Sequence, residues 1–325
     1  SILKILECKE YKKCFVIITS RPWKVKHIRD DIELRKRYAF VEIEGFTREN
    51  VKEFVSRFFS NDKEPAESLV KFMEKGSLIA ENMSPYPIFC AMLCHLWKEE
   101  ARRKVVQRLQ TFSQLFQEIM EFMEDGYIDK HHFNSRRRYS YEETKMALKK
   151  NLLQLAEVAF KGLMENNLVF SEDRFDEKVL QTGYDVGLLS RDRKPGRSET
   201  KKPRMRGKVS FPHKLHQDYL AGLHLAAQAK TNPEDYKMLL SLILSKNRDE
   251  MKFLLFFAAA QEKQVALDIT SGLVNEQEPS SIRSTTGVEA TAHKLIADVV
   301  FESLNEDVAR EVEKSFCSLS RMREL

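Results

Sequence analysis

Apolar positions along this 325-residue chain fall into two rhythms. Near the N-terminus stand short, nearly unbroken runs. Residues 14–19 read Cys-Phe-Val-Ile-Ile-Thr and residues 39–43 read Ala-Phe-Val-Glu-Ile. A β-branched run that is apolar on both faces suits a strand buried inside a parallel sheet. Two strands do not complete a sheet, so this reading expects the rest of it upstream of residue 1. From Thr47 the spacing lengthens to three and four. Thr47 is placed as an N-cap, with Val51, Phe54, Val55 and Phe58 on one helical face. Further helices are predicted over 65–77, 88–109 and 112–123. A polar stretch over 125–139, carrying Arg136, Arg137 and Arg138, reads as a break outside the helices, with a hinge near residues 125–140.

The next block has another order. Ser140 and Glu143 form a capping-box signature ahead of a helix whose apolar face runs through Met146, Leu152, Leu153, Ala156, Phe160 and Leu163. A brief strand over 168–170, a short helix over 173–181, two strands over 187–190 and 209–211, and a helix over 214–229 follow. Helix, strand, helix, hairpin and helix is the order of a winged-helix unit. Beyond Pro233, amphipathic helices are predicted over 233–245, 250–260, 264–274 and 291–304, with a last one ending near Leu319. No fixed period makes them a solenoid.

Composition changes this picture little. With 42% hydrophobic and 32% charged residues and few glycines and prolines, the chain reads as globular and mainly helical. No run of about 20 apolar residues is available to span a membrane. Five scattered cysteines read as reduced thiols of a cytoplasmic protein. Cys90 and Cys94 share a helix face, but no second ligand pair stands at zinc spacing, so core packing is the expected role. The net charge of +5 is concentrated. Residues 191–208 hold nine Lys or Arg against two acids, an excess of seven, which leaves about −2 elsewhere. The loop lacks interleaved aromatics and contains Pro195, Gly196 and Pro203, which weighs against nucleic acid and favours a solvated insertion.

Candidate chemistry is sparse. In open α/β sheets ligands bind beyond the carboxyl ends of strands, which gives Arg21, after the run 14–19, a place to meet a phosphate. His213 offers an imidazole at the start of the helix over 214–229. Pro87 stands where a helix begins, a position that costs a helix nothing. His216 and Lys214 read as a solvated face.

Three segments, in this order, resemble the NACHT-domain NTPases of the NOD-like receptors. The run from Val16 to Arg21 and Pro22 looks like the sensor 1 strand ending in its arginine. Residues 83–97, Met-Ser-Pro-Tyr-Pro-Ile-Phe-Cys-Ala-Met-Leu-Cys-His-Leu-Trp, resemble the proline motif of the first helical domain. Residues 209–221, Val-Ser-Phe-Pro-His-Lys-Leu-His-Gln-Asp-Tyr-Leu-Ala, resemble the winged-helix histidine motif, the most specific of the three.

The resemblance implies a fold that is mainly α: the tail of a parallel α/β nucleotide-binding domain (1–46), a helical domain (47–130), a winged-helix domain (131–229) and a second helical domain (230–325). It implies that Arg21 meets the phosphates, that Pro87 packs on adenine and that His213 contacts a phosphate. It implies ADP or ATP with Mg²⁺ in the complete protein, self-association on activation, and effector and ligand-sensing domains outside this segment. The sequence departs from the family in lacking Gly-x-x-x-x-Gly-Lys-Ser/Thr and an acidic run before the sensor strand. The chain is therefore expected neither to hydrolyse ATP nor to hold nucleotide tightly without an upstream phosphate-binding segment. The rival readings are a helical scaffold that has lost nucleotide chemistry and a winged-helix nucleic-acid binder using the basic loop.

Overall fold

A computed structural model describes residues 4–5, 9–10, 14–19, 30–75, 86–134, 140–191, 207–275 and 286–323. The chain divides into two compact units, Ser1–Gly45 and Phe46–Leu325. In the first, the described helix is the single turn α1 (Ile32–Arg35). Asp31 caps it by accepting from the amides of Glu33 and Leu34 at 2.9 and 3.0 Å. The two strands expected over 14–19 and 39–43 are corrected: neither run is a strand among the described residues. Ile17 and Val41 are 87% and 84% exposed, so these apolar runs cover no sheet face. A strand owes its stability to a paired ladder and a covered face, which a local run cannot supply by itself.

The second unit opens with α2 (Arg48–Phe58) and α3 (Lys63–Glu74). Thr47 caps α2 in a capping box with Asn50, each side chain accepting from the other's backbone amide. The helix predicted over 88–109 is two, α4 (Pro87–Trp97) and α5 (Glu100–Val106), interrupted at Lys98 and Glu99. Trp97 is fully buried and donates its indole N–H to Ser68 Oγ at 2.8 Å, joining α4 to α3.

The helix α6 (Phe112–Asn134) runs well past its expected end. The hinge expected near 125–140 is thereby corrected through residue 134; residues 135–139, with Arg136 to Arg138, lie outside the described residues. Ile128 explains the extension: it is buried two turns beyond the buried Met120 and keeps the apolar stripe going beneath a charged outer face. At the start of α6, Thr111 Oγ1 accepts from the Gln114 amide at 3.1 Å, while Gln114 Oε1 accepts from the Thr111 amide at 3.3 Å. This is a second capping box.

Next come α7 (Tyr141–Met164), β1 (Val169–Ser171), α8 (Glu177–Val186), β2 (Ser190–Arg191), β3 (Lys208–Ser210) and α9 (Lys214–Thr231). Ser140 and Glu143 form the predicted capping box of α7. The strands make an antiparallel sheet ordered β1-β3-β2, with Phe170 opposite Val209 and Ser190 opposite Ser210. Gly187 closes α8 at φ +88°, in the left-handed region that a side chain disfavours.

The remaining helices are α10 (Pro233–Leu244), α11 (Arg248–Gln261), α12 (Lys263–Asn275), α13 (Thr286–Ser303) and α14 (Glu306–Arg323). One core joins α2 to α9 and reaches Phe257 of α11; a second lies among α9 to α14 and the end of α7, through Phe160 and Leu163. Helix α9 serves both. Leu215 and Tyr219 face the first core, Ala221 and Leu225 the second. Residues 215–222 are all buried, the burial pattern of a helix enclosed on every side. The described residues are mainly helical, and no described helix is long and apolar enough to cross a membrane.

Candidate functional site

Several backbone and side-chain contacts converge on the start of α9. Phe211, at the end of β3, is buried and stands edge-on to Phe170 at 5.8 Å, which fixes where the chain leaves the sheet. His213 then adopts an extended conformation as the N-cap of α9, its Nδ1 accepting from the Leu215 amide at 3.2 Å. That bond selects the tautomer with the proton on Nε2, the ring atom left to meet anything else. The imidazole is half-buried, and burial first, then the nearby Lys214 charge, lowers its pKa. It is therefore a neutral donor near pH 7.

The neighbours of His213 in the motif have structural duties. Lys214 and His216 do not form the solvated face that was expected. The Lys214 ammonium contacts Asp218 Oδ1 at 2.5 Å and the Glu250 carbonyl at 3.0 Å, fastening α9 to α11. His216 is 4% exposed and lies edge-on to Phe116 at 5.4 Å, and burial pushes its pKa down to about 4. Gln217 is 1% exposed and donates to the carbonyls of Ala159 and Asn167 at 3.2 and 3.0 Å. It closes the gap between α7 and the turn into β1. Tyr219 packs on Phe116 and Phe257, with ring centroids 5.2 Å away in each case.

Pro87 is the first residue of α4, exposed, and preceded by Tyr86, whose side chain makes no capping bond. A row of rings leads inward from it: Tyr86 to Phe89 at 5.8 Å, Phe89 to Phe112 at 5.0 Å, Phe112 to Phe116 at 6.1 Å and Phe116 to His216 at 5.4 Å. The helix starts that carry Pro87 and His213 are thus joined through the core by aromatic contacts at separations where such pairs attract. Arg21 and the basic segment 192–206 lie outside the described residues. Cys90 and Cys94 are fully buried; their thiol contact, then burial, pushes the Cys94 pKa up, and both serve as packing.

Sequence reasoning missed Glu302. This carboxylate of α13 is 7% exposed, and its two oxygens accept from the amides of Phe112 and Ser113 at 3.2 and 2.8 Å. Those amides open α6, where free N–H groups and the helix dipole favour an anion. Burial pushes the Glu302 pKa up, opposed by bonds from Ser113, Phe112 and Thr111. A signal was present: Leu295 and Val299 set an apolar stripe at i and i+4, and position i+7 is Glu302. A charge on a core stripe asks for a partner.

No family model matches the chain. Relatives include Protein NLRC5 of Homo sapiens, 26% identical over 229 residues that cover 68% of this chain and 10% of the relative. Protein NLRC5 of Ictalurus punctatus is 25% identical over 233 residues, covering 68% of this chain and 12% of its own length. The chain spans about a tenth of the length of these curated relatives. Over some two thirds of the chain, this similarity supports the NOD-like receptor family, the one its motifs resemble.

Proposed function

We propose that the chain is the regulatory part of a nucleotide-switched signalling ATPase of the innate-immune receptor type, working in the cytoplasm. Residues 1–46 are the tail of its nucleotide-binding domain, 47–130 a helical domain, 131–229 a winged-helix domain and 230–325 a second helical domain. ADP is held by an upstream phosphate-binding segment and touched by Arg21, by Pro87 at the adenine and by His213 at a phosphate. A ligand stabilises whichever arrangement it contacts better, so ADP favours the closed one. Exchange for ATP removes the histidine contact, and the opened chains associate with one another. ATP and Mg²⁺ supply phosphoryl chemistry in the complete protein, and residues 47–325 contribute binding and positioning only.

The observation that carries this reading is the division of labour at the start of α9. Lys214, His216, Gln217 and Tyr219 are engaged in packing, whereas His213 uses one nitrogen for the cap and keeps a neutral Nε2–H for an acceptor. A neutral donor at a helix N-terminus suits a phosphate oxygen. The fit extends to one phosphate contact and one exposed proline ring, which do not hold a nucleotide without further groups. The test is chromatographic identification of nucleotide released from the denatured protein, purified with its upstream segment, beside its His213→Ala variant. The expected result is stoichiometric ADP in the parent and depletion in the variant. Equal ADP in both removes His213 from the site, and none in either favours a scaffold that kept the fold and lost the chemistry.

A further inference from the structure

We infer that Glu302 is a latch that holds the second helical block onto the start of α6 and must be released when the blocks separate. The inference rests on the proposed reading in one respect, that the chain has an open arrangement. The latch itself is drawn from contacts that involve no nucleotide.

The carboxylate reaches across 190 positions of sequence to the first two amides of α6. Its burial is tolerable because each oxygen receives an N–H and the helix terminus supplies partial positive charge. Separation leaves α6 with two opened amides and returns the carboxylate to water, so the joint favours two discrete positions over gradual sliding. The contact is also placed where movement matters. Phe112, whose amide is held, packs against Phe89 of α4 and against Phe253 and Phe257 of α11, at ring separations of 5.0, 5.1 and 5.4 Å. The ion pair of Lys252 of α11 with Asp298 of α13, at 3.3 Å, joins two helices of the same block and so does not hold this joint, and its side chains are more exposed. Water replaces that pair readily, and it cannot do the same for Glu302.

The test is hydrogen exchange on the full chain carrying Glu302→Ala or Glu302→Gln. In the alanine variant, amides 112–114 and the second half of α13 are expected to exchange together about ten- to a hundredfold faster. Peptides from α2, α3 and α7 are expected to keep their parent rates. The glutamine variant, which retains one good acceptor, is expected between parent and alanine. Parent-like exchange at 112–114 in the alanine variant overturns the latch. A uniform rise across every helix also overturns it, because Glu302 then supports the whole fold and not one joint. The measurement reports on the latch whether or not ADP binds, so its failure is separable from a failure of the His213 experiment.

Discussion

Gln217 offers the sharpest check on how the histidine motif divides its labour. Its carboxamide donates to two carbonyls, at 3.2 and 3.0 Å, from a position that is 1% exposed. Gln217→Ala takes its donor from the part-buried Asn167 carbonyl, removes a second donor from the Ala159 carbonyl, which keeps its bond within α7, and opens a small cavity. A buried polar group stripped of its partner costs about 1–3 kcal/mol, so the loss of the Asn167 contact, the weakened Ala159 contact and a modest void predict a loss of about 2 kcal/mol. Gln217→Glu is nearly isosteric, yet it sets a carboxylate against two carbonyl oxygens and is expected to cost more than alanine. His213→Ala gives up one half-buried cap bond, worth about 1 kcal/mol. The assay is urea unfolding of the three variants beside the parent, followed by helical circular dichroism, with the slope checked for constancy. A Gln217→Ala loss within 0.5 kcal/mol of zero, or a His213→Ala loss as large as that of Gln217→Ala, refutes the reasoning.

Further outcomes follow from the glycines and the titrating groups. A Cβ at Gly126 meets nothing within 4 Å, so Gly126→Ala in the middle of α6 is expected to stabilise by about 0.5–1 kcal/mol in the same urea assay. At Gly222 a Cβ falls 2.8 Å from Phe257 Cβ and 3.0 Å from the Ala258 nitrogen and the Leu254 carbonyl, so Gly222→Ala is expected to destabilise by about 2 kcal/mol. The His216 ring is expected to titrate near 4 by NMR. Its depressed pKa contributes stability that is present above about 6.5 and lost as pH falls through about 4, roughly 3 kcal/mol in all. Glu124 works against it: burial, then the charges of Glu121 and Asp125, pushes its pKa up to about 7. Its contribution is present below about 4.5 and lost as pH rises through about 7. Glu124→Gln is therefore expected to steepen the acid loss between pH 6.5 and 4, and a variant with the parent's shallow profile argues against the assignment of either group.

Local chemistry was legible where it is local. Thr47, Ser140 and Glu143 mark helix starts because a cap depends on three neighbouring residues. The helix-strand-helix-hairpin-helix order between residues 141 and 231 was readable from turn signals and spacing. The misses share a cause in tertiary context. The charged residues from Glu124 to Lys130 disguised α6 as a linker, since only the buried Ile128 and the partly buried Tyr127 carry the apolar stripe through them. His216 resembled a solvated residue because a helix enclosed on all sides shows no polar face to read. Glu302 breaks an apolar pattern, but its partners lie 190 positions away. At the candidate site, the sequence named His213 and Pro87; the cap that selects the His213 tautomer and the row of rings between the two helix starts needed coordinates.

The length of α6 has a mechanical consequence. Its 23 residues make a rod about 34 Å long, with Glu302 gripping one end and, near the other, His131 3.5 Å from Asp185 of α8. A tilt of about 10° about the gripped end displaces the far end by about 6 Å, more than one helical turn. The length alone thus has the geometry of a lever arm: a sub-ångström adjustment at the gripped end corresponds to several ångströms at the end that meets α8.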